Sequence, residues 1–174
     1  MKKNLLRILL ILLLLGTFYL IFSFSSQDSE ESGGKSREIT EAVTKNIKFI
    51  QKSNKIEKEK VLDRIESLIR KIAHFSIYSL VGILLMALFS TYNISENRRI
   101  AFSLLIGVIY ASTDEFHQRF IPGRSGELTD IYIDSLGVLF GILILLLIIK
   151  IIEFIKEKNI KLRKSKNKRN FKTS

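Results

Sequence analysis

The sequence predicts an all-α fold, a polytopic membrane bundle of four transmembrane helices with an extracytoplasmic helical hairpin between the first two. The chain has 174 residues, of which 47% are hydrophobic, and long uncharged runs alternate with densely charged segments. Long uncharged runs that alternate with charged segments are typical of membrane-spanning helices rather than of a soluble core. A chain of this size is expected to form one domain.

The predicted spans cover residues 5–24, 72–92, 100–119 and 131–149, and residues 25–71 form the extracytoplasmic segment. Residues 1–150 make up a single transmembrane domain, and residues 151–174 form a basic cytoplasmic tail. The first span is uncharged for 17 residues, from Ile8 to Phe24. Because signal-peptide cores are usually about 7–15 residues long, we expect an uncleaved anchor rather than a cleaved signal peptide.

The third and fourth apolar runs are too short to cross a bilayer by themselves. The third is uncharged for only 14 residues, from Ile100 to Thr113, and the fourth for 15 residues, from Ser135 to Ile149. A crossing helix needs about 20 residues at about 1.5 Å each. The third span must therefore continue to about Arg119, and the fourth must begin near Asp130, which brings acids and a histidine within membrane depth.

Basic residues predict the orientation. With four spans, one side carries the whole basic tail together with Lys2, Lys3, Arg7, Arg98 and Arg99. The positive-inside rule assigns that side to the cytoplasm. We therefore expect a multi-pass protein of the cell membrane with both termini in the cytoplasm. Segment 25–71 carries eleven Lys/Arg and nine Asp/Glu, so its charges nearly cancel and decide little.

Segment 25–71 has two amphipathic stretches. A polar loop is expected from Ser25 to Ser36. Apolar residues then recur at helical spacing, first at Ile39, Val43, Ile47 and Ile50 and then at Val61, Ile65, Leu68 and Ile72. A break is expected near Ser53, where Asn54 followed by Glu57 resembles a capping box. We favour a hairpin that caps the bundle over one that lies on the bilayer surface.

Small residues at four-residue spacing predict close helix contacts. They occur as Gly107-x-x-x-Ala111 in the third span and Gly137-x-x-x-Gly141 in the fourth. Such pairs allow helix backbones to approach closely in lipid. In so short a chain we favour a contact inside the bundle over one between copies.

The polar residues at membrane depth share one end of their spans, the extracytoplasmic end. An isolated charge facing lipid costs roughly 3 kcal/mol on insertion scales, so these side chains are expected to face inward and pair. Pro122-Gly123 predicts a tight turn that aims Arg124 at the acidic residues or at a phosphate headgroup. The predicted ligand-binding residues are Arg70, His74, Asp114, Glu115, His117, Gln118, Arg124, Asp130 and Asp134.

The order of these motifs resembles the VanZ-like family of small bacterial integral membrane proteins. The resemblance rests on His74-Phe75 with Tyr78, Tyr110-Ala111-x-x-Asp114-Glu115-x-His117-Gln118, Pro122-Gly123-Arg124, Asp130-x-x-x-Asp134-x-x-Gly137-x-x-x-Gly141, and Phe24-Ser25-Ser26-Gln27-x-Ser29. It covers roughly residues 18–145. Asp134 departs from the pattern, in which Asn is more usual. The resemblance implies a link to resistance against teicoplanin, a cell-wall antibiotic, but no settled biochemical activity.

Three functional interpretations follow. The favoured one is a binding site for a lipid-linked cell-wall precursor or another envelope molecule, in which Arg70, Lys71 and Arg124 would meet phosphate. The second is an intramembrane acid–base or metal-dependent enzyme, with Glu115, His117 and Asp114 as catalytic candidates. The third is a structural network that only fixes helix packing. The bilayer is the expected partner in all three.

The sequence identifies no cofactor and assigns no metal. His74, Glu115 and His117 with an aspartate could hold a divalent ion, but their spacing is not diagnostic. The absence of cysteine excludes disulfides, thiol nucleophiles and thiolate metal sites. The net charge of +11 does not indicate nucleic acid, because ten Lys/Arg and only two acids lie between Lys150 and Ser174, beside the last apolar run.

Overall fold

The computed structural model describes residues 2–45, 47, 54–124 and 126–170, with only the backbone described for residues 29–32, 35 and 162–170. These residues form five helices and no strand, so the all-α prediction is confirmed for them. The helices are α1 (Lys2–Ser25), α2 (Ser29–Thr44), α3 (Lys55–Ser90), α4 (Glu96–Gln118) and α5 (Leu128–Asn170).

The chain divides into two compact units, Met1–Ile142 and Leu143–Ser174. The first unit contains α1 to α4 and the beginning of α5. The second contains the remainder of α5, whose side chains are exposed throughout residues 151–161. The predicted boundary between a membrane domain and a basic tail at residue 150 stays a prediction.

Three of the described helices are long and apolar enough to cross a membrane, namely Lys2–Ser25, Lys55–Ser90 and Leu128–Lys161. Large apolar side chains on these helices, such as Leu5, Leu12 and Leu147, are 60–70% exposed. Soluble proteins rarely expose so much contiguous apolar surface, so these faces fit a lipid environment.

Helix α4 is the exception among the predicted spans. Its 23 residues correspond to about 35 Å, which is long enough to cross a bilayer. It is not among the helices that are apolar enough by composition, because charged residues lie at both of its ends. The helix ends at Gln118 and α5 begins at Leu128, close to the limits that the length argument requires. The count of four spans itself stays a prediction.

Helix α2 begins earlier than predicted. It begins at Ser29, inside the stretch expected as a loop, because it packs against the first half of α3. There Arg37 forms ion pairs with Glu59, with Asp63 at 2.9 Å and with Glu66 at 3.8 Å. Asn54 begins α3 and accepts a hydrogen bond from the Glu57 backbone N–H at 2.9 Å, as the capping pattern predicts.

The apolar side chains predicted to form one stripe on and after α2 stay largely exposed. Ile39, Val43 and Ile47 are 52%, 62% and 42% exposed, whereas Thr40 on α2 is fully buried. A cap over the bundle would bury the stripe, so these exposures do not support the cap that we favoured. The alternative, a hairpin on the bilayer surface, stays a prediction. Ile50 and Ser53 lie outside the described residues.

The predicted glycine contact lies inside the chain, between α3 and α5. A Cβ on Gly141 would overlap the carbonyl oxygen of Ser79, and one on Gly82 would overlap the carbonyl oxygen of Val138. Val138 and Ile142 are fully buried, as are Tyr78 and Val81 on α3. Only glycine permits this backbone approach, which holds the two helices that carry much of the candidate site.

At one end of the bundle, Arg7 joins α1 to the end of α3. Its guanidinium donates hydrogen bonds to Thr91 Oγ1 at 3.0 Å and to the Thr91 carbonyl oxygen at 2.9 Å. The same group lies 4.1 Å from the centroid of the Tyr92 ring. We call this group of three residues, Arg7, Thr91 and Tyr92, the Arg7 clamp.

Candidate functional site

The other end of the bundle collects polar side chains from four helices. Five of them form what we call the polar cluster: His74 and Tyr78 from α3, Asp114 and Gln118 from α4, and Asp134 from α5. Tyr78 and Asp134 have no exposed surface, and Asp114 and Gln118 are 5% and 6% exposed. His74 is part-exposed, so the cluster opens to the surface at this histidine.

His74 and Asp134 face each other across the contact between α3 and α5. His74 Nδ1 lies 3.6 Å from Asp134 Oδ1, which is within ion-pair range but beyond a good hydrogen bond. Neither Asp134 oxygen accepts a hydrogen bond from any described residue, and His74 Nδ1 also makes none. A buried carboxylate without a hydrogen bond is costly, so this pair is incomplete as it stands.

Asp114 is held by hydrogen bonds from two other cluster residues. The Tyr78 hydroxyl donates to Asp114 Oδ2 at 3.2 Å, and Gln118 Nε2 lies 3.5 Å from the same oxygen. Gln118 Nε2 also donates to Ser25 Oγ at 3.2 Å, which ties the end of α1 to α4. These bonds fix the position of the Asp114 carboxylate beside His74 and Asp134.

Glu115 has a different role from Asp114. Its Oε2 accepts a hydrogen bond from the Glu127 backbone N–H at 3.0 Å, immediately before α5 begins. Glu115 is 2% exposed, and its second oxygen, Oε1, has no hydrogen-bond partner among the described residues. One oxygen therefore anchors the start of α5, and the other is buried without a hydrogen bond from the described residues.

The turn between α4 and α5 positions Arg124. Pro122 and Gly123 occupy its centre, Gly123 has a φ of 74°, and the Arg124 N–H donates to the Ile121 carbonyl oxygen at 3.2 Å. Proline at the first central position and a positive φ at the second define a type II turn. The Arg124 guanidinium then donates to the Phe24 carbonyl oxygen at 3.2 Å, so the turn docks on the end of α1.

A polar cavity of about 220 Å³ opens beside the cluster. Arg70, Lys71 and Arg124 supply positive charge to its wall, and Lys71 Nζ lies 3.9 Å from Asp130 Oδ1. The other lining residues are Ser67, His74, Gln118, Gly123, Glu127, Asp130, Ile133 and Asp134. Burial, and then the positive charge of Arg70, lower the pKa of Arg124 below its ordinary value. The two guanidiniums therefore repel each other across this cavity.

A second cavity, of about 380 Å³ and mostly apolar, lies between α1, α2 and α3. Ile21, Phe24, Ile39, Ile69 and Ile77 form most of its wall. Its remaining lining residues are Ser25, Gln27, Ser36, Arg70, Ala73, His74 and Arg124. Arg70, His74 and Arg124 line both cavities, so a polar space and an apolar space meet at these three side chains.

Among the predicted site residues, His117 is the one that lies apart. Its ring packs against Phe22 of α1, with the ring centroids 4.7 Å apart, and it lines neither cavity. Arg70, His74, Gln118, Arg124, Asp130 and Asp134 line the polar cavity, while Asp114 and Glu115 are buried behind it.

Two contributing residues are absent from the predicted set. Tyr78 lies four residues after His74 and therefore on the same face of α3, which is a signal that could have identified it. Ser25, the partner of Gln118, ends α1, and only its place in the early Ser/Gln motif indicated it.

A helical chain with three helices of spanning length and apolarity, and with buried acids at one end, has the features of an integral membrane helix bundle. The VanZ/LLP1 family matches this chain over residues 10–150, and the chain belongs to that family. No curated protein and no solved structure matches it significantly.

Proposed function

We propose that this protein binds a phosphate-bearing, lipid-linked molecule of the cell envelope at the extracytoplasmic end of its bundle. The observation that carries the proposal is the meeting of the polar and apolar cavities at Arg70, His74 and Arg124. A ligand with a charged head and a hydrocarbon chain would occupy both spaces at once.

The polar cavity suits the head of such a ligand. Arg124 and Arg70 raise each other's electrostatic energy there, and an anion between them would remove that repulsion. Arginine offers a fork of donors that matches phosphate oxygens, and Lys71 adds a third positive charge. The acids of the same wall, Asp130 and Glu127, could accept hydrogen bonds from hydroxyl or amine groups attached to the phosphate.

The apolar cavity suits the chain of the ligand. Its volume of about 380 Å³ and its isoleucine-rich wall fit several isoprene or methylene units rather than a polar group. Each buried CH₂ group contributes about 0.8 kcal/mol, so even a short chain adds substantially to affinity. The phosphate alone and the chain alone should therefore each bind more weakly than the two joined.

The binding test compares three probes with purified protein in detergent: farnesyl phosphate, farnesol and inorganic phosphate. Farnesyl phosphate is expected to bind at least tenfold more tightly than either part. Arg124→Gln should weaken farnesyl phosphate by about 10- to 100-fold, since a hydrogen bond to a charged group contributes about 1.5–3 kcal/mol. Farnesol should bind Arg124→Gln and the native protein alike.

The control is Lys3→Gln, at an exposed position on α1 that lines neither cavity. It should not change the affinity for farnesyl phosphate. Equal binding of farnesyl phosphate and farnesol would contradict the phosphate site. Displacement of farnesyl phosphate by a small excess of short-chain phosphatidylglycerol would indicate a site for bulk lipid rather than for a lipid-linked carrier.

The extracytoplasmic position rests on a four-span topology with α4 as the third span. The chain lacks cysteine, so single cysteines can be labelled without background. Exposed Glu38 on α2 and exposed Asn97 at the start of α4 offer suitable positions. An impermeant thiol reagent added to intact cells should label Glu38→Cys and spare Asn97→Cys. The reverse pattern would move the site to the cytoplasmic leaflet.

Altered susceptibility to teicoplanin is the corresponding cellular expectation, since the antibiotic acts on cell-wall precursors. If the protein meets such a precursor through the polar cavity, expression should change the minimal inhibitory concentration, and Arg124→Gln at equal expression should abolish the change. If the change in teicoplanin susceptibility persists in Arg124→Gln, it does not depend on this cavity.

A further inference from the structure

We propose that His74, Asp114 and Asp134 form a binding site for a divalent transition-metal ion such as Zn²⁺ or Mn²⁺. One ligand atom from each of the three residues lies within 4.8 Å of the other two. The three residues come from α3, α4 and α5, so the ion would join three helices. This proposal does not depend on the lipid proposed above, because it rests on the three side chains alone.

The geometry is close to that of an occupied site. Zinc binds histidine nitrogen and carboxylate oxygen at about 2.0–2.2 Å in a tetrahedral arrangement, so two of its donors lie about 3.3–3.6 Å apart. His74 Nδ1 and Asp134 Oδ1 are 3.6 Å apart, and the ligand atoms of all three residues lie within 4.8 Å of one another. One imidazole with two carboxylates is a donor set that suits zinc, manganese and iron rather than soft copper(I).

The burial of Asp134 without a hydrogen bond is an independent indication that this position binds a cation. Its side chain has no exposed surface, and neither oxygen accepts a hydrogen bond from any described residue. The facing His74 Nδ1 makes no hydrogen bond either, and it lies 3.6 Å from Asp134 Oδ1. A cation between the two would satisfy three unpaired atoms and would compensate the buried charge.

The residues around the three proposed ligands also fit a metal site. Tyr78 donates a hydrogen bond to Asp114 Oδ2, as residues around metal sites commonly do to orient a ligating carboxylate. His74 and Asp134 both line the polar cavity, so an ion could enter from there and would keep a coordination position for water or for a ligand oxygen. Lys71 engages Asp130 at the cavity wall, outside the ligand set.

The experiment measures Co²⁺ binding to the full chain, without a histidine tag, after treatment with a chelator. One Co²⁺ per chain is expected, with visible absorption bands typical of mixed nitrogen and oxygen coordination, and Zn²⁺ should displace it. Asp134→Asn and His74→Gln should each weaken binding by at least tenfold. The control is Glu38→Gln, which removes an exposed carboxylate of α2 that lines neither cavity, so this variant should bind Co²⁺ as the native protein does.

Circular dichroism and gel filtration identify the variants that fold. Two ligand variants are used so that the test remains possible if one of them does not fold. The proposal is overturned if the folded native protein binds no ion at micromolar concentrations. It is also overturned if Asp134→Asn and His74→Gln bind as tightly as the native protein, or if Glu38→Gln loses binding to the same extent as they do. The failure of farnesyl phosphate to bind would leave these expectations unchanged.

Discussion

The two ends of the bundle differ in how completely their polar side chains are hydrogen-bonded. In the Arg7 clamp, every contact is complete, with two hydrogen bonds to Thr91 and the Tyr92 ring beneath the guanidinium. In the polar cluster, Asp134 is more deeply buried than Arg7 and yet accepts no hydrogen bond from the described residues. The Arg7 clamp therefore has the completed hydrogen bonds that are expected of a polar contact whose role is to hold helices together.

This difference bears on the interpretation that the polar cluster only fixes helix packing. A structural network should satisfy its members, because an unpaired buried group destabilises the fold that the network is meant to hold. The cluster gives Asp114 hydrogen bonds but leaves Asp134 and His74 Nδ1 with none from the described residues, although the two lie within ion-pair range of each other. An ion, an ordered water or a catalytic role is the usual explanation of a buried group that lacks a hydrogen bond from the protein.

The largest expected effect on stability comes from the contact between α3 and α5. In Gly141→Ala the new methyl group would overlap the Ser79 carbonyl oxygen, and because that atom is backbone, the helices must separate. We expect a loss of about 1–3 kcal/mol in the free energy of unfolding, measured by titration with a denaturing detergent. The matched control, Gly16→Ala, has open space around it and should be neutral or stabilising by up to about 1 kcal/mol. Equal effects would mean that this helix contact is not close.

Next in size is the loss of the Arg7 clamp. Arg7→Gln should lower the free energy of unfolding by about 1.5 kcal/mol, the lower end for hydrogen bonds to a charged group, because Arg7 is part-exposed. Lys3→Gln removes the same charge from an exposed position of the same helix and should change stability by less than about 0.5 kcal/mol. Binding of farnesyl phosphate and of Co²⁺ should be unaffected in Arg7→Gln, which would separate the two ends functionally.

A change of opposite sign is expected at Asp134. Asp134→Asn keeps the size of the side chain and removes a buried charge that lacks a hydrogen bond, so in metal-free buffer it should raise stability by about 1 kcal/mol. Asp130→Asn loses only a part-exposed pair with Lys71 and should change stability by less than about 0.5 kcal/mol. If Asp134→Asn instead destabilises the protein as much as Arg7→Gln does, the cluster is architectural and the contrast between the ends fails.

Much of the candidate site could be predicted from the sequence because it depends on the lengths of the apolar runs. Two apolar runs are too short to cross a bilayer, and this requires α4 to continue through Asp114 to Gln118 and α5 to begin before Asp134. The cost of charge in lipid then requires inward pairing, and His74 does face Asp134. The extension of the two helices and the inward pairing of their charges depend only on bilayer thickness and on the cost of charge in lipid. Both could therefore be predicted from the sequence.

The sequence was least informative where the direction of a helix face mattered. His117 is three residues from Asp114, so it lies about 60° around the helix from it, far enough to meet Phe22 on α1 instead of α5. On α2 the spacing of Ile39 and Val43 correctly predicted a common face. It could not show which way that face points, because beside a bilayer an apolar stripe can face lipid as well as a core.

The smallest effect on stability, and the sharpest comparison, comes from two tyrosines. The Tyr110 hydroxyl donates to the Phe18 carbonyl oxygen at 2.6 Å, and its ring stacks on Phe18 with centroids 3.9 Å apart. Tyr110→Phe keeps the stacking and loses only the hydrogen bond, which should cost about 0.6 kcal/mol, the average for such bonds within membranes.

Tyr78→Phe makes the same chemical change at the polar cluster, where the hydroxyl donates to Asp114 instead. Its cost in stability should be equally small, but the freed Asp114 carboxylate should bind Co²⁺ about 10- to 100-fold more weakly, as when a metal ligand loses its supporting hydrogen bond. Tyr110→Phe should leave Co²⁺ affinity unchanged. Two variants with equal stability and unequal metal affinity would separate support of the fold from support of a site, whereas equal affinities would mean that the Tyr78 hydroxyl serves helix packing alone.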